Sequence, residues 1–525
     1  MPADLVLING KILTMNPTQP CAEAIAIEAA RIIQVGTNRA VTNWIGKETK
    51  VVDLKGKTVV PGFIDTHIHI ADFGRVLTWL DLWDVKSIKE LQARLSTYVQ
   101  KTPKDNWIIG RGWEQNSFAE KRLPTCYDLD IVSPDNPVIL YQKYGQMAIA
   151  NSKALEIAGL TKQTVASTGD TVDRNQETGQ LTGVLRGDAT NSVWKFIPTM
   201  TQEELMEAVI SAFDKIVRVG ITSVCWIVFS SIELSIIKKL NAQNRLPLSV
   251  YVIIPVDLLD SELTSTFPKD SANSAVKVGG VVIFADGYLA ARTAAMFEPY
   301  SDCPNSNGSL LCTQEEMNML AVKIHKANLQ LNIHAAGDKA VDMALTTIEK
   351  TSKEAVGRDL RNRIEQAAVL NQGLLQRMKN NNVIVSVQPC VMDSEFRVWS
   401  ASDHLGPDRA RWLYPLKTLI NSGINVIGGS DCPMEPLSPL LGIQAAVTRE
   451  FVPEERVTVK DALRFYTVDA AYAFSEENIK GTIEENKYAD LTVLSHDLLM
   501  AELNEIAKIE VEMTIVRGRV VYSKL

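Results

Sequence analysis

Two kinds of hydrophobic alternation divide the chain. At the start, short apolar runs are broken by polar and Gly-marked turns. LVLING and KILTMN meet around Asn9-Gly10, and AIAIEAARIIQVG and VVDLKGKTVV follow, a pattern of β-strands joined by tight turns. The far end repeats it, with ADLTVLS and then VEMTIVRGRVVYS turning near Gly518. Neither end carries enough strands to bury a core alone, so residues 1–58 and 477–525 are expected to pair into one composite β-sandwich.

Between the ends, apolar strands alternate with amphipathic helices, the signature of a parallel sheet. Strand candidates fall at residues 59–69, 221–228, 248–255, 280–287, 329–334, 363–370, 383–389 and 424–431. Helical patterns such as QEELMEAVISAFDKIVRVG, which stops at Gly220, lie between most of them. Eight strands with intervening helices predict an α/β fold, a closed (β/α)8 TIM barrel over residues 59–476. About 150 residues separate the first two strands, against the few usual in a βα connection. Residues 75–200 are therefore expected to form an inserted subdomain, with PVILYQK among its strands. Emerging from a βα loop on the catalytic face, it is expected to roof the pocket and help select substrate.

Composition narrows the function classes. The 525 residues are 46% hydrophobic, enough for a large core, and carry 54 Lys plus Arg against 62 Asp plus Glu, a net charge of −8. No dense basic run is present, which argues against nucleic-acid binding. Seven scattered Cys, an odd number without a CxxC pair, argue against a disulfide framework or thiolate zinc site and favour a reducing compartment. The opening MPADLVLINGKILTMN lacks the basic start and apolar core of a secretory leader, and no apolar run approaches membrane-span length. A cytoplasmic, membrane-free protein is the expectation.

The strongest chemical signal is PGFIDTHIHI. Side chains two apart on a strand point the same way, so His67 and His69 present both imidazoles at the end of the first barrel strand. His334 ends the fifth strand in LNIHAAGDKA and Asp431 the eighth in VIGGSDCP. Barrel enzymes keep their sites at these strand ends, and strand eight neighbours strand one once the barrel closes. Three His and a carboxylate suit one divalent cation, zinc above others. The cation would activate water for attack on a carbonyl or amidine carbon of a small-molecule substrate, and Asp431 would take the water's proton to the leaving group. The competing readings are a pair of hydrogen-bonded barrel-mouth histidines, and a helix N-cap for Asp431.

The stretches PGFIDTHIHI, FADGYLAARTAA, LNIHAAGDKA, RIEQ, SVQP, GGSDCPMEPLSP and KGTIEENKYADLTVLSHDLL run nearly from end to end. Together they resemble the amidohydrolase superfamily, within the YtcJ-like branch related to N-substituted formamide deformylases. The resemblance implies a barrel with a composite β-sandwich, one or two divalent metals, and hydrolysis of amides or related non-peptide C–N bonds. It also suggests a homodimer.

The departures from that pattern matter as much. The branch usually reads VKIFADG at strand four, with a lysine able to bridge two metals, and RIEH at strand six; this chain has Val282 and Gln366 there. Both changes argue against a two-metal site and leave a single metal on His67, His69, His334 and Asp431. They also open two alternatives: a non-hydrolytic lyase or isomerase, and a binding protein without catalysis. In KYGQMAIANSKAL, Gln146 replaces a frequent histidine and is a candidate substrate contact, as is Gln366. Trp113, Trp399 and His404 are further candidates for the pocket lining. Asp286 either faces the pocket or fixes the strand-four loop, the latter being favoured. Arg363 and Glu365 are expected to form an ion pair inside the barrel. His325 is expected at the surface, and His496 away from chemistry.

Overall fold

A computed structural model describes residues 2–143, 147–163, 171–267, 274–354, 359–394 and 400–525. Eight parallel strands form one continuous sheet: β1 (Phe63–Ile68), β2 (Ile221–Ile227), β3 (Ser249–Pro255), β4 (Val276–Phe284), β5 (Gln330–Ala335), β6 (Arg363–Gln366), β7 (Ile384–Val387) and β8 (Asn425–Gly428). Each pairs in parallel with its sequence neighbours. At the C-terminal ends of β1 and β8, backbone bonds join the edges: Asp431 N–H donates to the His67 carbonyl at 2.7 Å and His69 N–H to the Cys432 carbonyl at 3.0 Å. The expected (β/α)8 barrel is thus present.

Local chemistry explains the alternation. Helix Gln202–Arg218 runs out ahead of Gly220, whose φ of 84° suits a residue without a β-carbon. Thr313 and Glu316 form a reciprocal capping box at the start of helix Gln314–Lys326, and the Asn371 side chain accepts from Leu374 N–H at the start of Gln372–Asn380. Ile64, Cys225, Ile227, Tyr251, Ile253, Val282, Ile384 and Ile427 pack together, so the interior is filled and the strand ends are left to carry chemistry.

The ends of the chain build two further sheets, the first from N-terminal strands alone and the second from both ends. One runs in the order Arg31–Gly36, Ala24–Glu28, Leu5–Ile8, Lys50–Asp53; the other in the order Arg519–Ser523, Val511–Val516, Leu491–Leu494, Thr58–Pro61, Lys11–Leu13, Cys21–Ala22. Leu7, Ile25 and Ile27 of the first pack with Val59, Leu491 and Ile515 of the second in one apolar cluster. The stretch 59–69, expected as one strand, is split at Gly62. Thr58–Pro61 pairs with Leu491–Leu494, while Phe63–Ile68 enters the barrel. A β-carbon at Gly62 would stand 2.3 Å from the Thr222 side chain, so only glycine fits where the chain changes sheets.

Residues 1–73 with 209–525 form one compact unit, and 74–208 form a second. The second unit holds a six-stranded mixed sheet that includes Val138–Gln142, the PVILYQK segment, and Ile108–Trp113. Among the described residues, no helix is long and apolar enough to cross a membrane.

Candidate metal centre

Strand β1 is buried along its whole length, and its alternation brings His67 and His69 out on one side. Beneath them, Asp65 Oδ1 accepts from the backbone N–H of His67 at 3.1 Å and of Ser430 at 2.9 Å, riveting β1 to the segment after β8. Gly429 makes that approach feasible, since a β-carbon there would lie 2.6 Å from both the backbone N and Cβ of His67. The chain then turns through Asp431, whose φ of 56° is left-handed. Its Oδ1 lies 3.5 Å from His67 Nε2 and 3.2 Å from His69 Nε2. One ligand atom from each of His67, His69 and Asp431 falls within 4.8 Å of the others.

The other ring nitrogen of each histidine is engaged away from this point. His67 Nδ1 meets Glu365 Oε2 at 2.8 Å, and His69 Nδ1 faces the Ile227 carbonyl at 3.4 Å while its ring stacks on Phe229. A carboxylate or carbonyl at Nδ1 fixes the tautomer that leaves Nε2 with a lone pair. Two Nε2 lone pairs and a carboxylate oxygen therefore converge, a donor set that fits a divalent transition metal with open positions for water and substrate.

Glu365 is itself anchored by Arg363, with Nη2 and Oε1 2.7 Å apart and both side chains fully buried. Burial alone would neutralise Glu365, but the Arg363 guanidinium, followed by His67, pulls its carboxyl down to about 2. Burial likewise disfavours a charged His67 ring, yet Asp431 and Glu365 outweigh it and hold its pKa above the ordinary imidazole value. Burial opposes ionisation of Asp431 too, and the His67 and His69 rings hold it below the usual carboxylate range. A proton and a cation thus compete for the same Nε2 positions.

His334 borders the same pocket, but it stands outside the tight group of three. Its Nε2 faces the Gly287 carbonyl at 3.3 Å, its ring lies beside Phe284 and Tyr288, and burial lowers its pKa. Ile227, Phe229, Val282, Phe284, Tyr288 and Gln366 complete the lining. Val282 is an apolar wall there. Gln366 directly follows Glu365, and consecutive residues of an extended strand cannot both face one pocket. The backbone resolves this by leaving strand geometry: φ is 74° at Gln366 and 46° at Ala367. Such left-handed non-glycine residues cost about 1–3 kcal/mol each and cluster at functional sites. The Tyr414 hydroxyl donates to Gln366 Oε1.

Asp286 takes the structural role favoured for it over the pocket, accepting from the N–H groups of Ala295, Ala336 and Gly337 at 2.8–2.9 Å and so fixing the strand-four loop. Other sequence expectations are corrected. His404 is bound to Asp302, which also holds Arg292, and it does not line the pocket. Trp113 is fully buried in the core of the 74–208 unit, its indole N–H donating to the Leu140 carbonyl at 2.8 Å. His325 is buried rather than exposed, with Nε2 2.9 Å from Asn362 Oδ1. Gln146 and Trp399 lie outside the described residues. Glu365 as the partner of His67, the Phe229 platform and the Tyr414 anchor were not foreseen. For Glu365, the signal was its place at the end of a barrel strand.

A family model described as the amidohydrolase family matches residues 50–522. The chain belongs to the amidohydrolase family. This amidohydrolase is 30% identical to YtcJ of Bacillus subtilis (strain 168), itself named as an amidohydrolase, over 98% of this chain and 99% of that protein. It is 27% identical to the N-substituted formamide deformylase of Arthrobacter pascens, over 99% of this chain and 98% of that protein. Among solved structures, an uncharacterized metal-dependent hydrolase from Pyrococcus furiosus superposes with a TM-score of 0.78 at 31% identity, covering 94% of this chain and 99% of that one.

Proposed function

We propose that this amidohydrolase hydrolyses a non-peptide C–N bond of a small molecule, an amide, formamide or cyclic amide or amidine, with one divalent cation, zinc above others, held by His67, His69 and Asp431. The observation that carries the reading is the convergence of two Nε2 atoms and one carboxylate oxygen, with each Nδ1 turned outward to an acceptor. A cation in that position supplies a nucleophilic water at neutral pH and polarises the electrophile.

The chain's own groups do the rest. Glu365, kept ionised by Arg363, holds His67 in the required tautomer. Asp431 accepts the proton of the attacking water and returns it to the leaving nitrogen, so that a C–O bond forms as the C–N bond breaks. Burial disfavours a charged His334, whose Nε2 faces the Gly287 carbonyl and whose ring borders the same pocket. Val282 supplies no donor where a second ion would need one, which supports a single-metal site.

The test is metal content by elemental analysis of protein purified without added metal or a His-tag, beside a His67→Ala/His69→Ala variant. Near one ion per chain, lost in the variant, together with turnover in a screen of amides, formamides and cyclic amides or amidines, is expected. No metal even after zinc or manganese is added would sink the proposal and favour a binding protein without catalysis. Two ions would mean that another residue supplies a bridge.

A further inference from the structure

Hydrolysis of an acyl compound places negative charge on the carbonyl oxygen, and enzymes meet that charge with a fixed donor. The donors in this pocket can be counted off. The Nδ1 atoms of His67 and His69 are turned to Glu365 and the Ile227 carbonyl, and His334 Nε2 to the Gly287 carbonyl. Glu365 is paired with Arg363 and His67, and Asp431 faces the Nε2 atoms of His67 and His69. Tyr288 also lines the pocket, edge-on to His334, but is more than half exposed. Gln366 is the buried amide among the lining residues. Its oxygen is taken by the Tyr414 hydroxyl, and its nitrogen has no protein partner among the described residues. With its oxygen held by Tyr414, the amide is oriented so that its N–H groups are free to donate.

Resting on the hydrolase reading, we infer that Gln366 is a catalytic residue that donates from Nε2 to the substrate's carbonyl oxygen, with Tyr414 as the positioning residue that sets its orientation. The consequence is selectivity. A donor aimed at the reacting group suits a carboxamide, whose oxygen accepts from it, and opposes the N–H groups of a protonated amidine, because a buried donor facing a donor leaves both unsatisfied. Of the C–N compounds open to the hydrolytic site, the structure assigns carboxamides and disfavours amidines. The aromatic and aliphatic wall of Phe229, Phe284 and Ile227 suits an uncharged apolar substituent beside that carbonyl.

The test measures binding, so it does not depend on turnover. Affinities of phenylacetamide and phenylacetamidine are measured by calorimetry or ligand-observed NMR on zinc-loaded wild type, Gln366→Glu, Gln366→Met and Tyr414→Phe, with zinc content checked in each. Wild type should prefer the amide. Gln366→Glu keeps the Tyr414 contact but replaces donor by acceptor, and should shift the amide-to-amidine ratio by roughly tenfold or more toward the amidine. Gln366→Met should weaken the amide roughly three- to tenfold without improving the amidine. Tyr414→Phe should lower the ratio with Gln366 intact, which a merely structural role would not do. An unchanged ratio in Gln366→Glu at unchanged zinc content would overturn the inference. Failure of the hydrolase reading shows separately, as zinc-loaded wild type that turns over no amide.

Discussion

Replacing Glu365 by Gln removes one charge while preserving shape, and two consequences can be worked out separately. The first concerns stability. Glu365 and Arg363 are fully buried 2.7 Å apart, so the variant strands a guanidinium in the barrel interior. Breaking a buried pair in this way costs about 3–5 kcal/mol. The second concerns the metal. The Glu365 contact at 2.8 Å sets the His67 tautomer, and loss of such a partner typically lowers metal affinity by about 10–100-fold. Denaturant unfolding of metal-free protein reads the first, and competition with a zinc chelator reads the second. Adding Arg363→Met to Glu365→Gln should recover much of the stability, because no unpaired charge remains, but should not recover zinc affinity. If Glu365→Gln unfolds at the same denaturant concentration and binds zinc as tightly as wild type, the assignment of Glu365 is wrong. If the double variant recovers zinc binding, Glu365 acts only through stability.

Other expectations follow from the same geometry. Because Glu365 is held near 2 against an ordinary 4.5, its contribution is present above about pH 4.5 and lost as pH falls through 2. The stability gap between metal-free wild type and Glu365→Gln should therefore shrink over that range, as acid titrations followed by circular dichroism would show. Gly429→Ala puts a β-carbon 2.6 Å from His67, so zinc affinity should fall by at least tenfold while the far-ultraviolet spectrum stays native; unchanged affinity would mean the seam yields easily. Asp431→Asn should cut turnover of any amide substrate by about 10²–10⁴-fold through loss of the proton acceptor, measured at saturating zinc so that weaker metal binding does not contribute.

The barrel was legible because its strands are continuous apolar runs and its helices carry their own stop signals, such as Gly220. His67, His69 and Asp431 were legible for a topological reason: the first and last strands of a closed barrel are neighbours. Other features depend on contacts that no local pattern encodes. Glu365 and His67 lie 298 positions apart and Tyr414 and Gln366 48 apart, and a left-handed turn at Gln366 upset the strand alternation that would have pointed it away. The break at Gly62 escaped notice because one apolar run serves two sheets without a polar residue between them. Burial of His325 was available in the pattern, since it stands four residues after Ala321 and eight after Met317 on the buried stripe of its helix. Trp113 shows the opposite hazard, where an aromatic side chain with a polar handle found its partner inside a core.

The seam between β1 and β8 has a temporal meaning as well. The residues that converge there, His67 and Asp431, are nearly the first and last the barrel contributes, so a growing chain has no pocket until it has been made past Asp431. Contacts this distant in sequence form late and slowly. Capture of a cation by this chain would then report that the ring has shut, and the ion would act as a latch on the slowest-forming edge of the fold. Stripping it should loosen β1 and β8 first, which hydrogen exchange at His67, His69 and Asp431 would reveal ahead of any change in the rest of the barrel.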